Sequence, residues 1–210
     1  MIPADVGGHT APPGESNTFL PEESTTFRLA RMLLLLDVAK KASRRIQSLD
    51  RLGYYEFFAD NPFIVVEGSS QRDEADRTTL KLVGFSQVQL AYASAGHRFV
   101  SRRRRLQHDL ALLVAYGLAT LTNNGYVITD SGTEMAAEFQ SVYADAYKKS
   151  SEIILRRLAG MSNKGLEIAV ESWFGHPWLL LDLLDDVTDA VVPQTRAIEK
   201  ISDPNEGELS

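Results

Sequence analysis

A leucine-rich helix behind a Ser/Thr cap, a tight Asn124-Gly125 turn between two runs that include β-branched residues, and a fresh helix signal directly after it predict a mainly helical fold. The order helix, hairpin, helix is that of a winged-helix core, here with additional C-terminal helices.

Residues 1–23 carry several prolines and glycines, with neither the basic nor the apolar region of a signal peptide, and read as a loose N-terminal tail. Ser24, Thr25 or Thr26 can cap a first helix whose apolar positions, from Phe27 to Val38, cover much of its circumference, so it should be central. Ser48 can cap a second helix with Leu49, Leu52, Tyr55 and Phe58 at helical spacing, stopped by Asn61-Pro62. The polar stretch Glu67 to Arg77, with Gly68, Ser69 and Ser70, reads as an exposed loop, and Leu80 to Ala93 as a short helix.

Ser101 can cap a helix with Leu106, Leu110, Leu113 and Val114 on one face and Gly117 just past its end. Leu118 to Thr129 follows as the hairpin; Asn124-Gly125 suits a turn with positive φ at both central residues. Ser131 and Glu134 have capping-box spacing and start a helix with Met135, Phe139, Val142, Tyr143 and Ala146 inward. Beyond it, Leu166, Ala169, Val170 and Trp173 form another amphipathic set, and Pro177 can open a last helix bearing Trp178, Leu181 and Leu184. The expected organisation is therefore a winged-helix core over 24–160, a helical extension over 161–192 and a flexible tail over 193–210.

With 44% hydrophobic and 24% charged residues the chain has the balance of a globular domain. It has no cysteine, so no disulfide framework or thiolate chemistry, and the cytoplasm is the expected compartment. Met32 to Leu36, a run of leucines behind a methionine, is far too short to span a bilayer, which predicts no membrane association. A net charge of -6 argues against nucleic-acid binding by the whole surface, but Arg102 to Arg105 form a compact basic run while the segment after Glu171 is acidic.

Catalytic motifs are missing: there is no P-loop, dinucleotide fingerprint, nucleophile elbow or HExxH, and a non-enzyme without cofactor is expected. His9, His97, His108 and His176 are scattered without metal-ligand spacing, and Asp182, Asp185 and Asp186 fit the solvated face of an amphipathic helix. Arg102, Arg103, Arg104 and Arg105 differ, because adjacent guanidiniums at a helix start repel one another and meet the positive end of the helix dipole. In a winged helix this element, directly before the hairpin, is the recognition helix. DNA phosphates, the acidic surface of a protein partner and plain solvation are the three readings of the run. Trp173 and Trp178 bracket Gly175-His176-Pro177 and, with Leu181 and Leu184, form either core or a docking patch for a partner.

Leu49 to Phe63, the arginine-led helix from Ser101, the hairpin end Tyr126 to Thr129 and Glu134 to Phe139 together resemble the middle component of bacterial ABC-three-component systems. That family looks related to the accessory subunit of Lamassu-type defence, and the resemblance covers about residues 24–175. It implies a non-catalytic winged-helix adaptor on an SMC-like or Rad50-like ATPase that senses foreign or broken DNA and controls an effector nuclease. The stretch Glu67 to Arg77 and the acidic segment after Pro177 depart from the family pattern. A stand-alone winged-helix transcription regulator is the alternative expectation.

Overall fold

In the computed structural model, which describes residues 24–86 and 95–174, helix α1 (Thr25–Lys41) starts where the Ser24 hydroxyl accepts from the Phe27 N–H. Every residue from Arg31 to Ala39 is buried, so α1 runs through the middle of the molecule with no solvent face over that length. Ser48 caps α2 (Leu49–Asp60) by accepting from Arg51 N–H at 3.2 Å, and residues Arg51 to Ala59 are buried as well. Asn61 and Pro62 end α2 as expected and lead into a single 3-10 turn, Pro62–Ile64.

The segment expected to be a loop is largely a helix, α3 (Gln71–Leu82). Ser70 and Asp73 form a reciprocal capping box at its start. Its only buried residues are Asp76 and Leu80, so apolar periodicity, the signal sought in the sequence, is nearly absent. Ion pairs hold it in place. Arg157 reaches Asp73 at 2.7 Å and Asp76 at 2.6 Å, and Arg156 also pairs with Asp76. Of the helix expected over Leu80 to Ala93, Leu80 to Leu82 form the end of α3, which stops before Gly84 at φ 103, and residues 87–93 lie outside the described ones.

Helix α4 (Ala95–Ala115) begins six residues before Ser101, which is an exposed interior residue and not a cap. Gly117, at φ 71, ends it as predicted. Strands β1 (Ala119–Thr122) and β2 (Gly125–Ile128) then form the expected antiparallel hairpin, with Thr122 opposite Gly125. The turn differs from expectation: Asn123 and Asn124 are its central residues, and positive φ falls on Gly125 (φ 109), not on Asn124. Glycine is required there for a second reason, since a Cβ would lie 2.2 Å from the Ile46 carbonyl oxygen. That carbonyl accepts from Tyr126 N–H at 2.9 Å, adding Ile46 as an isolated bridge on the free edge of β2.

Helix α5 (Asp130–Glu138) is capped by Thr129, whose hydroxyl accepts from Gly132 N–H at 3.0 Å, in place of the expected Ser131 box. The single long helix predicted behind the hairpin is two. Phe139 breaks helical geometry (ψ 88), and Ser141 caps α6 (Val142–Leu158), which packs along both α1 and α2. Helix α7 (Asn163–Phe174) buries Leu166 and Val170 in the same core as α1 and α2, so the core extends beyond residue 160. No helix among the described residues is long and apolar enough to cross a membrane.

Candidate functional site

The arginine run of α4 does not act as one patch. Since α4 starts at Ala95, the run sits in its third turn and the start of its fourth, one side facing the protein. Arg102 turns inward, 13% exposed, and donates to Asp60 at 2.6 Å with Glu56 at 4.0 Å; its guanidinium lies 5.5 Å from the centre of the Phe57 ring. Arg103 is part-exposed and pairs with Asp50 at 2.9 Å. Arg104 and Arg105 are exposed, and with Ser101 and His108 they line the outward stripe of the helix at the i, i+3, i+4, i+7 spacing.

Behind Arg102 lies a network that the sequence reading missed. Arg31, 2% exposed, donates to Glu56 and, at 3.4 Å, to Asp60, while its guanidinium lies 5.7 Å from the centre of the Phe27 ring and 5.4 Å from that of Tyr147. Burial works against the charge on Arg31, but Glu56 and Asp60 outweigh it and raise its pKa. Burial likewise pushes the Asp60 carboxyl up, and the charges of Arg31 and Arg102 overcome this and hold it below the usual carboxylate range. The Nε of Arg31 and the hydroxyl of Tyr147 are buried without a hydrogen-bond partner. One turn before Arg31, Arg28 grips Asp109 of α4 through two hydrogen bonds, at 2.6 and 3.0 Å, with Asp109 2% exposed.

The available signal for this network was a charged residue inside an apolar run: Arg31 stands between Ala30 and the run Met32 to Leu36, and Glu56 between Tyr55 and Phe57. Such residues are buried only when paired, so each implies a partner, although sequence does not say which.

The network opens into a cavity of about 220 Å³ between α1, α2 and α4. Five guanidiniums line it, those of Arg28, Arg31, Arg98, Arg102 and Arg105, against the carboxylates of Glu56 and Asp109. A second cavity of about 430 Å³ shares Arg31 and Arg98 and is otherwise walled by residues such as Phe27, Phe85 and Tyr143.

Of the aromatic docking residues, Trp173 stands edge-on to Phe58 with ring centres 5.1 Å apart, partly buried against the core, and Phe174 stacks on Phe58 at 5.7 Å. Trp173 therefore has a packing role inside the molecule. Trp178, Leu181 and Leu184 lie outside the described residues, as do His9, His176 and the acidic cluster from Asp182. Among the described residues no group of three or more His, Asp or Glu is placed to hold a metal ion.

The fold and this site define a mainly helical protein with a two-stranded antiparallel sheet and an arginine-rich cleft between α1, α2 and α4. No protein-family model, curated protein or solved structure matches the chain.

Proposed function

We propose that this chain is a non-catalytic accessory subunit with a winged-helix core, linking an SMC-like or Rad50-like ATPase to an effector nuclease in bacterial defence against phage or plasmid DNA. The observation that carries the reading is the bridge from Ile46 to Tyr126. It makes β2 the middle of three extended segments, with α2 directly after Ile46 and α4 leading straight into β1. That order supports a winged-helix reading, in which α3 would be an insertion and α4 would take the recognition position. The resemblance of Leu49 to Phe63 and the segments after it to the middle component of ABC-three-component systems supplies the complex and its cytoplasmic setting.

In this role the exposed Arg104 and Arg105 of the outer stripe of α4 contact DNA phosphates in the assembled complex; Arg102 pairs with Asp60 and Arg103 with Asp50. Trp178, Leu181 and Leu184 dock onto the ATPase or the nuclease. A stand-alone regulator needs a recognition helix whose start is free to enter a groove; here Phe99 and Val100, near the start of α4, are buried in the core.

The test is co-expression of the tagged chain with whatever ATPase and nuclease genes its neighbourhood holds; a neighbourhood with neither speaks against the proposal. A stable complex that elutes together, with ATP hydrolysis lost when the ATPase is omitted, is expected. A homodimer that binds a palindromic operator and ignores both neighbours would overturn the proposal in favour of a regulator.

A further inference from the structure

The connection from α1 to α2 begins Lys40-Lys41-Ala42-Ser43-Arg44-Arg45, four cations in six residues of a chain whose overall charge is -6. Lys40 and Lys41 close the last turn of α1, where they suit the negative end of the helix dipole, and each has a carboxylate, Asp130 at 3.1 Å and Asp37 at 2.6 Å. Arg44 and Arg45 lie beyond the helix, are exposed, and make no side-chain hydrogen bond or ion pair among the described residues. Their backbone is nevertheless held at both ends. Ser43 turns the chain at φ 52, with its N–H donating to the Lys40 carbonyl at 3.0 Å and the Arg44 N–H to that of Ala39 at 2.8 Å, while Ile46 is tied to Tyr126 of the hairpin. A serine at positive φ is strained where glycine is not, so the corner keeps a hydroxyl beside two arginines at some cost in stability.

The antiparallel bridge of Ile46 with Tyr126 sets Arg45 beside Val127 and Gln47 beside Gly125, and the hairpin ladder continues these rows to Thr120 and Thr122. Arg45, Gln47, Thr120, Thr122 and Val127 on this outer face are all exposed. Neither stretch that builds it, 42–48 or 116–129, contains Asp or Glu. The acidic residues next along the chain are already paired: Asp37 with Lys41, Asp50 with Arg103, Asp109 with Arg28 and Asp130 with Lys40. Two guanidiniums thus stand without carboxylates, beside the amide of Gln47 and the hydroxyl of Thr120, and those are the groups that contact a phosphate backbone.

We propose that this corner, Arg44 and Arg45 with the outer face of the hairpin, is a second electropositive surface that binds the phosphates of duplex DNA, separate from the α4 stripe. The face carries no aromatic ring among its exposed residues, so it offers unpaired bases nothing to stack on, which favours a duplex over a single strand. A two-stranded ribbon enters the major groove of B-form DNA, about 12 Å wide, but not the deep, narrow one of A-form RNA. The inference concerns the chain alone and does not rest on the adaptor role, so either can fail without the other.

The experiment is fluorescence anisotropy of the full chain with a labelled short DNA duplex, the matching single strand and the matching RNA duplex, each at several salt concentrations. The DNA duplex is expected to bind tightest, with affinity falling as salt rises. Arg44→Gln together with Arg45→Gln, at exposed positions outside the core, should weaken binding about eightfold per arginine at about 0.1 M salt and flatten the log–log slope by about 1.8, because each phosphate contact contributes about 0.9 to it. Arg44→Lys with Arg45→Lys keeps both charges and should keep the slope. Arg72→Gln with Lys164→Gln removes the same charge from exposed positions on α3 and α7 and should change neither quantity.

Absence of salt-dependent duplex binding by the unaltered chain would overturn the inference, and a melting temperature that responds to salt only while Arg44 and Arg45 are present would then assign them to the chain's own acidic segment after Glu171. An equal loss in the Arg72 and Lys164 control would also overturn it, as would a single strand or RNA duplex bound as tightly as duplex DNA. Loss in Arg104→Gln with Arg105→Gln but none in the Arg44 and Arg45 variant would overturn it and leave DNA binding to α4.

Discussion

Replacing Glu56 by Gln would remove one charge from a site where its partner cannot find water. The Arg31 side chain is 2% exposed and that of Glu56 9%, and the two are joined directly. Removing one member of a buried ion pair costs about 3–5 kcal/mol, because the remaining charge stays buried. Here Asp60, 3.4 Å from Arg31, still offers partial compensation, which places the expected loss near the lower bound of about 3 kcal/mol. With a urea m-value of about 2 kcal/mol/M, the unfolding midpoint should fall by about 1.5 M. Circular dichroism at increasing urea measures it directly. The double replacement Arg31→Met and Glu56→Met should recover most of the loss, because Asp60 keeps Arg102 at 2.6 Å and two apolar side chains fill the space. A loss under about 1 kcal/mol for Glu56→Gln, or a double variant whose cost is the sum of the two single ones, would refute a desolvated network.

Gly125→Ala should destabilise the hairpin by about 1–3 kcal/mol, since it adds backbone strain at φ 109 and a clash with the Ile46 carbonyl; chemical denaturation checks it. The Asp73 carboxyl is held down to about 2, by the Ser70 hydroxyl first and Arg157 next. Its contribution is therefore full above its unfolded pKa of about 3.9 and lost as pH falls through its folded value. Asp73→Asn should flatten the decline of stability in that acid window, as read by urea melts at several pH values. Trp173→Ala should lower the stability of the isolated chain, because the ring packs on Phe58; unchanged stability with weakened complex formation would return Trp173 to a docking role. The Arg104→Ala and Arg105→Ala double variant should weaken DNA binding by the assembled complex and flatten its salt dependence by about 0.9 in log–log slope per lost phosphate contact.

Local chemistry made several elements legible. Ser24, Ser48 and Asn61-Pro62 bound α1 and α2 because capping and proline restriction act within a few residues, and a turn glycine with β-branched neighbours made the hairpin visible. Helix α3 escaped notice since its stability comes from Arg156 and Arg157, some 80 residues away, and not from an apolar face; the pair Ser70 and Asp73 was the only local sign. The start of α4 was misplaced for a related reason: Ser101 has the chemistry of a cap, but Phe99 and Val100 are buried in the core, and that burial favours an earlier helix start.

The sequence by itself determined that four arginines stand together on a helix before a hairpin, because adjacency and helical pattern are properties of the chain. Which of them face solvent depended on where α4 lies against α2. Glu56 and Asp60 draw Arg102 inward, Asp50 engages Arg103, and Arg104 and Arg105 remain on the outer stripe. The arginine-lined cavity likewise joins Arg28 and Arg31 to Arg98, Arg102 and Arg105 across some 70 residues of chain. Only tertiary packing brings such distant charges together, since Coulomb energy depends on separation in space and on exclusion of water, and neither is written in the order of residues.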